Sequence, residues 1–435
     1  MPDLIQPQVL KGFRDALPAQ ELQRRTLMAK LEQVFRSFGF VPIDTPALEY
    51  SEILLGKGGG ETEKQMFRFE DNGGRDVALR FDLTVPFARF MATNLPQLVL
   101  PFKRYHMAKV WRGEKPQKGR YREFFQCDCD IVGVDSAAAD FEILAIMARS
   151  LEAVGAEAST VLINHRGLFN RFLSRLGVQD QSVEILRTVD KVSKIGREEV
   201  LVLLETLTGR SSAEQILAYI ETSGEPDEAL LKLEALAGGP ADDSQRLREV
   251  LSMLRENQLL HRFRLSPSIT RGLDYYTGLV FETVLNALPE IGSVCSGGRY
   301  NDLANLYTKE KLPGVGGSVG LDRLLAGLEE LGVMPQTATT TMVLLLNQEP
   351  SRVGRAHAVA QQLRNLGIPA EVYLDQRKIP AQYKFAETKG IPFVATLAPE
   401  LAQEPQLQTF QLKDIRTGEA RAGLTVQAAA AWIRS

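Results

Sequence analysis

Positive charge is concentrated in one short segment, residues 112–122. Its charged residues are Arg112, Glu114, Lys115, Lys118, Arg120 and Arg122, which give a net charge of +4. The glycine and proline residues between them indicate a loop that joins two strands. Because the guanidinium fork matches the geometry of phosphate oxygens, this loop predicts a phosphate-binding site.

Polar and apolar side chains alternate in the strand that follows the loop. A period of two divides it into one face with Phe124, Gln126, Asp128 and Asp130, and another with Phe125, Cys127, Cys129 and Ile131. The second set is typical of a core, with the cysteines as small buried residues. The first set fits either a solvated outer face or the polar floor of a pocket for a cationic or hydrogen-bonding ligand. The adjacent cationic loop favours the pocket.

Two segments further along the chain combine glycine with side chains that can bind ligands. In residues 268–284, Arg271, Asp274, Tyr275 and Tyr276 stand beside glycine and suit either a structural hydrogen-bond network or ligand contacts. In residues 294–328, glycine-rich stretches allow the backbone to approach a ligand closely, and Arg323 stands near the predicted start of a helix.

Several familiar site types are excluded by spacing. Residues 56–61 lack the Gly-Lys-Ser/Thr ending of a P-loop, and residues 314–320 lack the G-x-G-x-x-G spacing of a dinucleotide-binding fold. The four histidines are scattered along the sequence, so no metal site is predicted. No G-x-S-x-G elbow or activated cysteine is present, which argues against covalent catalysis. A nucleotide substrate would therefore need another scaffold.

The overall composition is that of a globular protein. The chain has 435 residues, of which 44% are hydrophobic and 24% charged, and its formal net charge is −3. This balance excludes a protein that coats nucleic acid through bulk positive charge, but it permits a local patch. Three cysteines without a C-x-x-C pair indicate a reducing compartment. Because the start is not signal-like and no apolar run approaches about 18 residues, we expect a cytoplasmic protein that does not enter a membrane.

Periodicity predicts an α+β chain with four regions. Residues 1–166 predict a β-rich domain with helices over Glu21–Phe40 and Ala137–Ala153 and an antiparallel sheet over residues 66–132. Residues 167–262 show helical spacing, and the β pattern resumes over residues 263–332, so the helical region is predicted to be an insertion into one domain. After a linker, residues 342–435 alternate strands with helices and predict a small α/β domain.

These clusters, in this order, resemble the motifs of the class II histidyl-tRNA synthetase family over nearly the whole chain. KGFRDALP with Pro46 resembles motif 1, WRGEKPQKGRYREFFQ resembles motif 2, and GVGGSVGLDR, with Asp322 where Glu is usual, resembles motif 3. RGLDYYTG and CSGGRYNDL resemble the two histidine-specific motifs. The resemblance implies an antiparallel catalytic domain with a helical insertion, a C-terminal α/β anticodon-binding domain, and assembly as a homodimer.

Two segments are similar to the eukaryote-type branch of that family. In residues 79–90, Asp82 stands where other members carry Glu. The segment Thr188–Lys194, TVDKVSK, is interpreted as a strand element and points to the same branch.

The resemblance implies that ATP, entering with Mg²⁺, activates L-histidine to histidyl-adenylate, and that the histidyl group then passes to the 3′ end of tRNA(His). Histidine binding is assigned to Asp82, Leu83, Thr84, Gln126, Asp130, Tyr275 and Tyr276. ATP binding is assigned to Arg112, Glu114 and Arg323, and catalysis to Arg112 and Arg271. Contacts to the acceptor end of the tRNA, with its extra 5′ guanosine, are assigned to Lys115, Gln117 and Lys118.

The terminal domain departs from the family pattern in the segment expected to bind the anticodon. Ile379–Ala381 replaces part of a stretch that is commonly basic in the family. Lys378, Gln382 and Lys384 remain as candidate anticodon contacts.

Two other functions are weighed against the enzyme. A histidine-sensing regulatory paralogue of ATP phosphoribosyltransferase would bind histidine without aminoacylation activity, and a pseudo-synthetase would only bind tRNA. Such regulatory paralogues lack the C-terminal domain and do not keep the RGLDYY positions, both of which are present here. Arg112, Gln126 and Arg271 are also intact, which favours the enzyme.

Replacing Arg271 by histidine is expected to abolish histidyl-adenylate formation while leaving histidine affinity comparatively intact. The resemblance places this cation at the α-phosphate, where it stabilises the charge that develops as the histidine carboxylate attacks. Pyrophosphate exchange and equilibrium binding of histidine measure the two quantities separately. Equal losses in both would contradict the assigned role.

Overall fold

The computed structural model describes residues 4–56, 61–269, 276–334, 338–397 and 409–435. The chain forms two compact units, one made of residues 1–15 and 24–334 and the other of residues 16–23 and 335–435. Within the described ranges, no helix has both the length and the apolar character needed to span a membrane. Arg271 and Tyr275 lie outside the described residues.

An eight-stranded, mostly antiparallel sheet forms the centre of the first unit. The strands described there are β1 (Val41–Pro42), β2 (Leu48–Tyr50), β3 (Arg68–Glu70), β4 (Asp76–Leu79), β5 (Phe102–Trp111), β6 (Glu123–Val132), β7 (Ser159–His165), β8 (Phe263–Leu265), β9 (Leu279–Leu285), β10 (Cys295–Arg299) and β11 (Gly314–Gly320). The large sheet has the order β1-β5-β6-β11-β10-β9-β7-β8, and β2-β4-β3 form a small sheet. Only the β1–β5 and β7–β8 pairs of the large sheet are parallel, which confirms the predicted antiparallel sheet.

Helices surround this sheet and fill the region predicted to be helical. Those described up to residue 334 are α1 (Pro18–Ser37), α2 (Ser51–Leu55), α3 (Glu61–Gln65), α4 (Thr84–Asn94), α5 (Ala137–Ala153), α6 (Arg166–Arg175), α7 (Ser182–Val189), α8 (Val192–Ile195), α9 (Arg197–Thr208), α10 (Arg210–Ile220), α11 (Pro226–Leu236), α12 (Asp242–Glu256) and α13 (Leu321–Glu330). The division of this unit at residues 167 and 262 stays a prediction, because one apolar core joins the sheet to these helices.

Two local predictions for this unit are wrong. The segment 188–194, interpreted as a strand, instead holds the end of α7 and most of α8, because Ile185, Leu186 and Val189 are buried at helical spacing. The helix α4 interrupts residues 66–132, which alternation alone assigned to sheet. Its buried Val85, Ala88 and other apolar residues follow helical rather than alternating spacing.

One face of the large sheet is covered by the core. Cys127 and Cys129 of β6 are fully buried and belong to the same apolar cluster as Ile143 and Met147 of α5. Their prediction as core residues is confirmed. The side chains that alternate with them must therefore project from the opposite face of β6.

The second unit is a small α/β domain, as predicted. It contains β12 (Val343–Leu345), α14 (Val353–Asn365), β13 (Ala370–Val372), α15 (Ile379–Lys389), β14 (Phe393–Leu397), β15 (Phe410–Asp414), β16 (Ala420–Leu424) and α16 (Val426–Arg434). Strands β13, β12 and β14 are parallel, and β15 and β16 extend the sheet antiparallel. Gln382 is fully buried and its amide bonds the backbone of Asn347 in both directions, so this side chain is not available for a tRNA contact.

Candidate active site

The register of three strands assembles a polar floor on the sheet face opposite α5. Asp130 of β6 pairs with Arg104 of β5 on one side and with Gly316 of β11 on the other. Residues directly opposite each other in a ladder share a face. Asp128 and Gln126 extend the same row, and Gln126 Nε2 donates a 2.8 Å hydrogen bond to Ser318 Oγ.

The floor is buried, which excludes one of the two interpretations of the polar set. Asp128 and Asp130 are only 2% and 3% exposed, so a solvated outer face is wrong, and a ligand pocket stays a prediction. Burial raises the pKa of Asp128 to about 7 and also raises that of Asp130, because a carboxylate loses hydration there. A ligand that brings N–H donors or positive charge would offset this loss.

Two residues that were not assigned to the site hold Asp130 in place. Arg104 Nη2 lies 2.7 Å from Asp130 Oδ2, and the Tyr300 hydroxyl donates a 2.5 Å hydrogen bond to Asp130 Oδ1. Alternation along β5 would have placed Arg104 on this face. Tyr300 stands in the CSGGRYNDL motif, but its partner is far away in sequence and is revealed only by the fold.

The glycines of β10 and β11 leave space for these side chains. A Cβ atom on Gly316 would lie 1.9 Å from Asp130 Oδ1, and one on Gly298 would lie 2.9 Å from Tyr276 Cδ1. Both distances are shorter than van der Waals contact allows. At these two positions a larger residue would displace side chains of the site, so glycine is needed there.

Unmatched hydrogen-bond acceptors lie near one end of the floor. Asp82 Oδ1 accepts from the Val85 backbone N–H at the start of α4, whereas Asp82 Oδ2 is buried and has no hydrogen-bond partner among the described residues. Gln126 Oε1 is likewise buried without a hydrogen-bond partner among the described residues. Burial raises the pKa of Asp82 to about 6. Because buried acceptors are normally satisfied, these atoms suit a ligand ammonium group with several N–H donors.

Three guanidinium groups lie near one another beside the floor, and one of them, Arg112, is close to Asp82. Arg112 Nε donates a 2.9 Å hydrogen bond to the Phe81 carbonyl, and Arg323 Nη1 donates a 2.6 Å one to the Ser293 carbonyl. Burial, followed by the nearby charges of Arg120 and Arg112, lowers the pKa of Arg323 to about 10. Cations that repel one another across a buried site suit a polyphosphate. The sequence placed Arg120 in the predicted phosphate-binding loop but did not assign it to ATP individually.

The loop between β5 and β6 projects its two lysines outward. Gln117 and Arg120 exchange two backbone hydrogen bonds of 3.0 and 2.9 Å around a turn in which Gly119 has a φ of +69°. Lys115, Gln117 and Lys118 are exposed, and Lys118 Nζ lies 2.8 Å from Glu330 Oε2. Glu114 is half-buried at the base of the loop.

The structure brings most of the predicted site residues together. Those on the floor or bordering it are Asp82, Leu83, Thr84, Gln126, Asp130 and Tyr276, with Arg112, Glu114 and Arg323 nearby. Arg271 and Tyr275 are not among the described residues, so their placement is not tested. In the described part of the chain, no group of three or more His, Cys, Asp or Glu side chains is arranged to hold a metal ion.

Asp322 connects the N-terminal segment to the strand that carries the floor. Its buried carboxylate lies 2.6 Å from Arg14 Nη2 and 3.3 Å from Arg24 Nη2, and Oδ2 accepts a 2.7 Å hydrogen bond from the Phe125 backbone N–H. The shorter Asp side chain, found here where Glu is usual, therefore has a complete set of partners.

Replacing Asp322 by asparagine is expected to lower the free energy of unfolding by about 3 kcal/mol, because it leaves two arginines without their buried counter-charge. Denaturant unfolding of the first unit measures the loss. The same change at exposed Asp180 provides the control and should have little effect. Equal stability of the Asp322→Asn variant and the unmodified chain would contradict the role of this carboxylate.

Comparison with known proteins decides the family. A family model described as "Histidyl-tRNA synthetase" matches residues 12–324. The chain belongs to the histidyl-tRNA synthetase family. A second model, "Anticodon binding domain", matches residues 340–435 and coincides with the α/β domain. The predicted class II fold, with an antiparallel catalytic sheet followed by an anticodon-binding domain, is thereby confirmed.

Individual relatives extend this histidyl-tRNA synthetase assignment over the whole chain. A histidine–tRNA ligase of Treponema denticola is 52% identical over 426 residues, which cover 95% of each chain. A histidine–tRNA ligase of Rhodopirellula baltica is 46% identical over 424 residues, covering 96% of this chain and 95% of the relative. The crystal structure of the histidyl-tRNA synthetase from Nostoc sp. PCC 7120 superposes with a TM-score of 0.88 at 31% identity and covers 99% of both chains.

Proposed function

We propose that this chain is a histidine–tRNA ligase, which activates L-histidine with ATP and transfers the histidyl group to tRNA(His). One observation carries the proposal: a buried, acceptor-rich floor lies close to a group of guanidinium cations. The floor suits the ammonium and ring N–H donors of histidine, and the cations suit the phosphates of ATP. The relatives' identities support the enzyme over the regulatory alternative.

The proposed activation step needs positioning and electrostatics rather than proton transfer. The histidine carboxylate is already a nucleophile; it attacks the α-phosphorus and forms the acyl–phosphate bond. The bond from the α-phosphorus to the bridging oxygen breaks, and pyrophosphate leaves with that electron pair. Arg112 would bind the α-phosphate and Arg323 the nucleotide beside it, which stabilises the charge that develops there. Mg²⁺ would enter bound to the ATP phosphates and supply additional positive charge.

The histidine assignments follow from the hydrogen-bonding chemistry of the floor residues. Asp82, Thr84 and Gln126 would hold the α-ammonium group, because two of them present unmatched buried acceptors. Asp130 would accept the ring N–H, with Tyr276 beside it, Leu83 lining the site and Tyr275 as a supporting residue. Arg271 would add a cation at the α-phosphate, and Glu114 would accept from the adenine amino group.

The tRNA contacts are proposed for two separate surfaces. The exposed residues Lys115, Gln117 and Lys118 would reach the acceptor end, because flexible cations at a loop tip bind phosphates without blocking the pocket. In the second unit, exposed Lys378 and Lys384 would contact the anticodon stem-loop.

A homodimer is proposed on the basis of exposed apolar side chains. These are Val41 of β1, Leu48 and Tyr50 of β2, Phe69 of β3, and Val99 in the loop before β5. Exposed apolar surface of this kind is typical of an interface. Analytical ultracentrifugation should show a dimer, and a monomer at micromolar concentration would contradict this part of the proposal.

Aminoacylation tests the proposed function directly. The purified chain, supplied with ATP and histidine, is expected to charge a tRNA(His) transcript that carries the extra 5′ guanosine, and to charge one without it poorly. Lys118→Ala should lower charging more than histidyl-adenylate formation, because Lys118 is exposed on the loop and away from the floor. A chain that binds histidine but charges no tRNA would instead support the regulatory function.

A further inference from the structure

A buried arginine lies among three buried carboxylates of the floor. Arg104 is fully buried, and its charge lowers the pKa of Asp82, Asp128 and Asp130 against the opposing effect of burial. Two of its nitrogens, Nε and Nη1, have no hydrogen-bond partner among the described residues. A fully buried arginine is rare in a protein interior unless it is paired with buried carboxylates.

We propose that Arg104 is the positioning residue that keeps Asp130 ionised and aimed at the histidine ring, and so sets the selectivity of the pocket for a ring N–H donor. This inference rests on the proposed histidine–tRNA ligase function. It concerns Arg104 acting through Asp130 and requires no contact between Arg104 and the substrate.

The geometry around Asp130 leaves little freedom for its carboxylate. Arg104 pairs with one oxygen and Tyr300 with the other, and Gly316 opens the space that the carboxylate occupies. Arg104 is itself fixed, because its guanidinium lies 4.1 Å from the centre of the Phe87 ring and Nη2 donates a 3.4 Å hydrogen bond to the Leu83 carbonyl. The ion pair thus links the start of α4 to the floor.

The ionisation of Asp130 depends on few groups in the described residues. Arg104 faces it from β5, Tyr300 faces it from the end of β10, and Asp128 lies beside it on β6. His106, opposite Asp128, is neutral because burial lowers its pKa to about 4. Without Arg104, burial would raise the pKa of Asp130 further, and a protonated carboxyl would lose acceptor capacity toward the ring.

Arg104→Met removes the charge and keeps much of the apolar volume. The KM for histidine in pyrophosphate exchange is expected to rise about thirtyfold at pH 7, with the KM for ATP nearly unchanged. Raising the pH to about 8.5 should recover part of the affinity, because Asp130 then loses its proton. Arg104→Lys keeps the positive charge and should therefore retain much of the histidine affinity at pH 7. A merely structural role would give no recovery with pH.

Arg299 offers the matched control. It forms a buried ion pair with Asp140, with Nη2 2.7 Å from Oδ1, and Asp140 lies on α5, which packs on the core face of the sheet. Arg299→Met should lower stability without a selective rise in the KM for histidine. If Arg104→Met does not fold, the neutral variant Arg104→Gln decides, and a wild-type KM for histidine in that variant would overturn the inference. An inactive unmodified chain would overturn the proposed function instead.

Discussion

Replacing Gly316 by alanine is expected to reduce kcat/KM for histidine in pyrophosphate exchange by about a hundredfold or more, because a displacement near 1 Å in an active site has effects of that size. The added Cβ would lie 1.9 Å from Asp130 Oδ1, 2.5 Å from its Cγ and 2.9 Å from the Cys129 carbonyl oxygen. The carboxylate cannot stay in place, and moving it breaks its contacts with Arg104 and Tyr300.

The same substitution at Gly354 supplies the control, because a Cβ there would meet nothing within 4 Å. Gly354→Ala lies in α14 of the second unit and should leave activation unchanged. Circular dichroism and unfolding curves would show that both variants fold. Unimpaired activation by a folded Gly316→Ala variant would contradict the placement of Asp130 in the histidine site.

Replacing Asp128 by asparagine is expected to stabilise the chain at pH 8 by about 4 kcal/mol, with no gain below about pH 4. Burial raises the pKa of Asp128 from 3.8 to about 7. Between these values the unfolded chain releases the proton and the folded chain retains it, so ionisation favours unfolding. This unfavourable contribution grows as the pH rises through that window and is complete above the folded-state pKa. Asparagine cannot ionise, so the Asp128→Asn variant lacks this unfavourable contribution to stability.

Denaturant midpoints of the two chains at several pH values measure this effect. The difference in stability should grow from about pH 4 to about pH 7 and then level off. Asp180→Asn, a change at an exposed carboxylate, should follow the unmodified chain throughout. Parallel pH profiles for Asp128→Asn and the unmodified chain would show that Asp128 is not held at a raised pKa.

The sequence predicted which side chains of the site share one face of a strand, but not what surrounds that face. Alternation in β6 assigned Gln126, Asp128 and Asp130 to one face, and the structure confirms that arrangement. Alternation cannot say what covers a face, so only the fold excluded a solvated surface. Arg104 and Tyr300 went unassigned because their contacts with Asp130 depend on strand register and on pairing between distant segments.

The secondary structure was predictable where periodicity extends over a long segment. The bounds of α5 agree with the prediction, because its buried residues recur over seventeen positions. The helix α4 was missed because its eleven residues follow a stretch of alternating pattern and begin at a local hydrogen bond from the Val85 N–H to Asp82. The antiparallel strands β15 and β16 were also missed, because a hairpin appended to a parallel sheet has no long-range periodic signal.

Exchange of labelled pyrophosphate into ATP, with each of the twenty amino acids in turn, tests the central claim most directly. It reports amino-acid activation alone and does not depend on the tRNA, the anticodon-binding domain or the dimer. The site described here predicts rapid exchange with L-histidine and only background exchange with the others, since the floor presents acceptors for both an ammonium group and a ring N–H. Exchange that is absent with histidine, or that proceeds equally with other amino acids, would contradict the account.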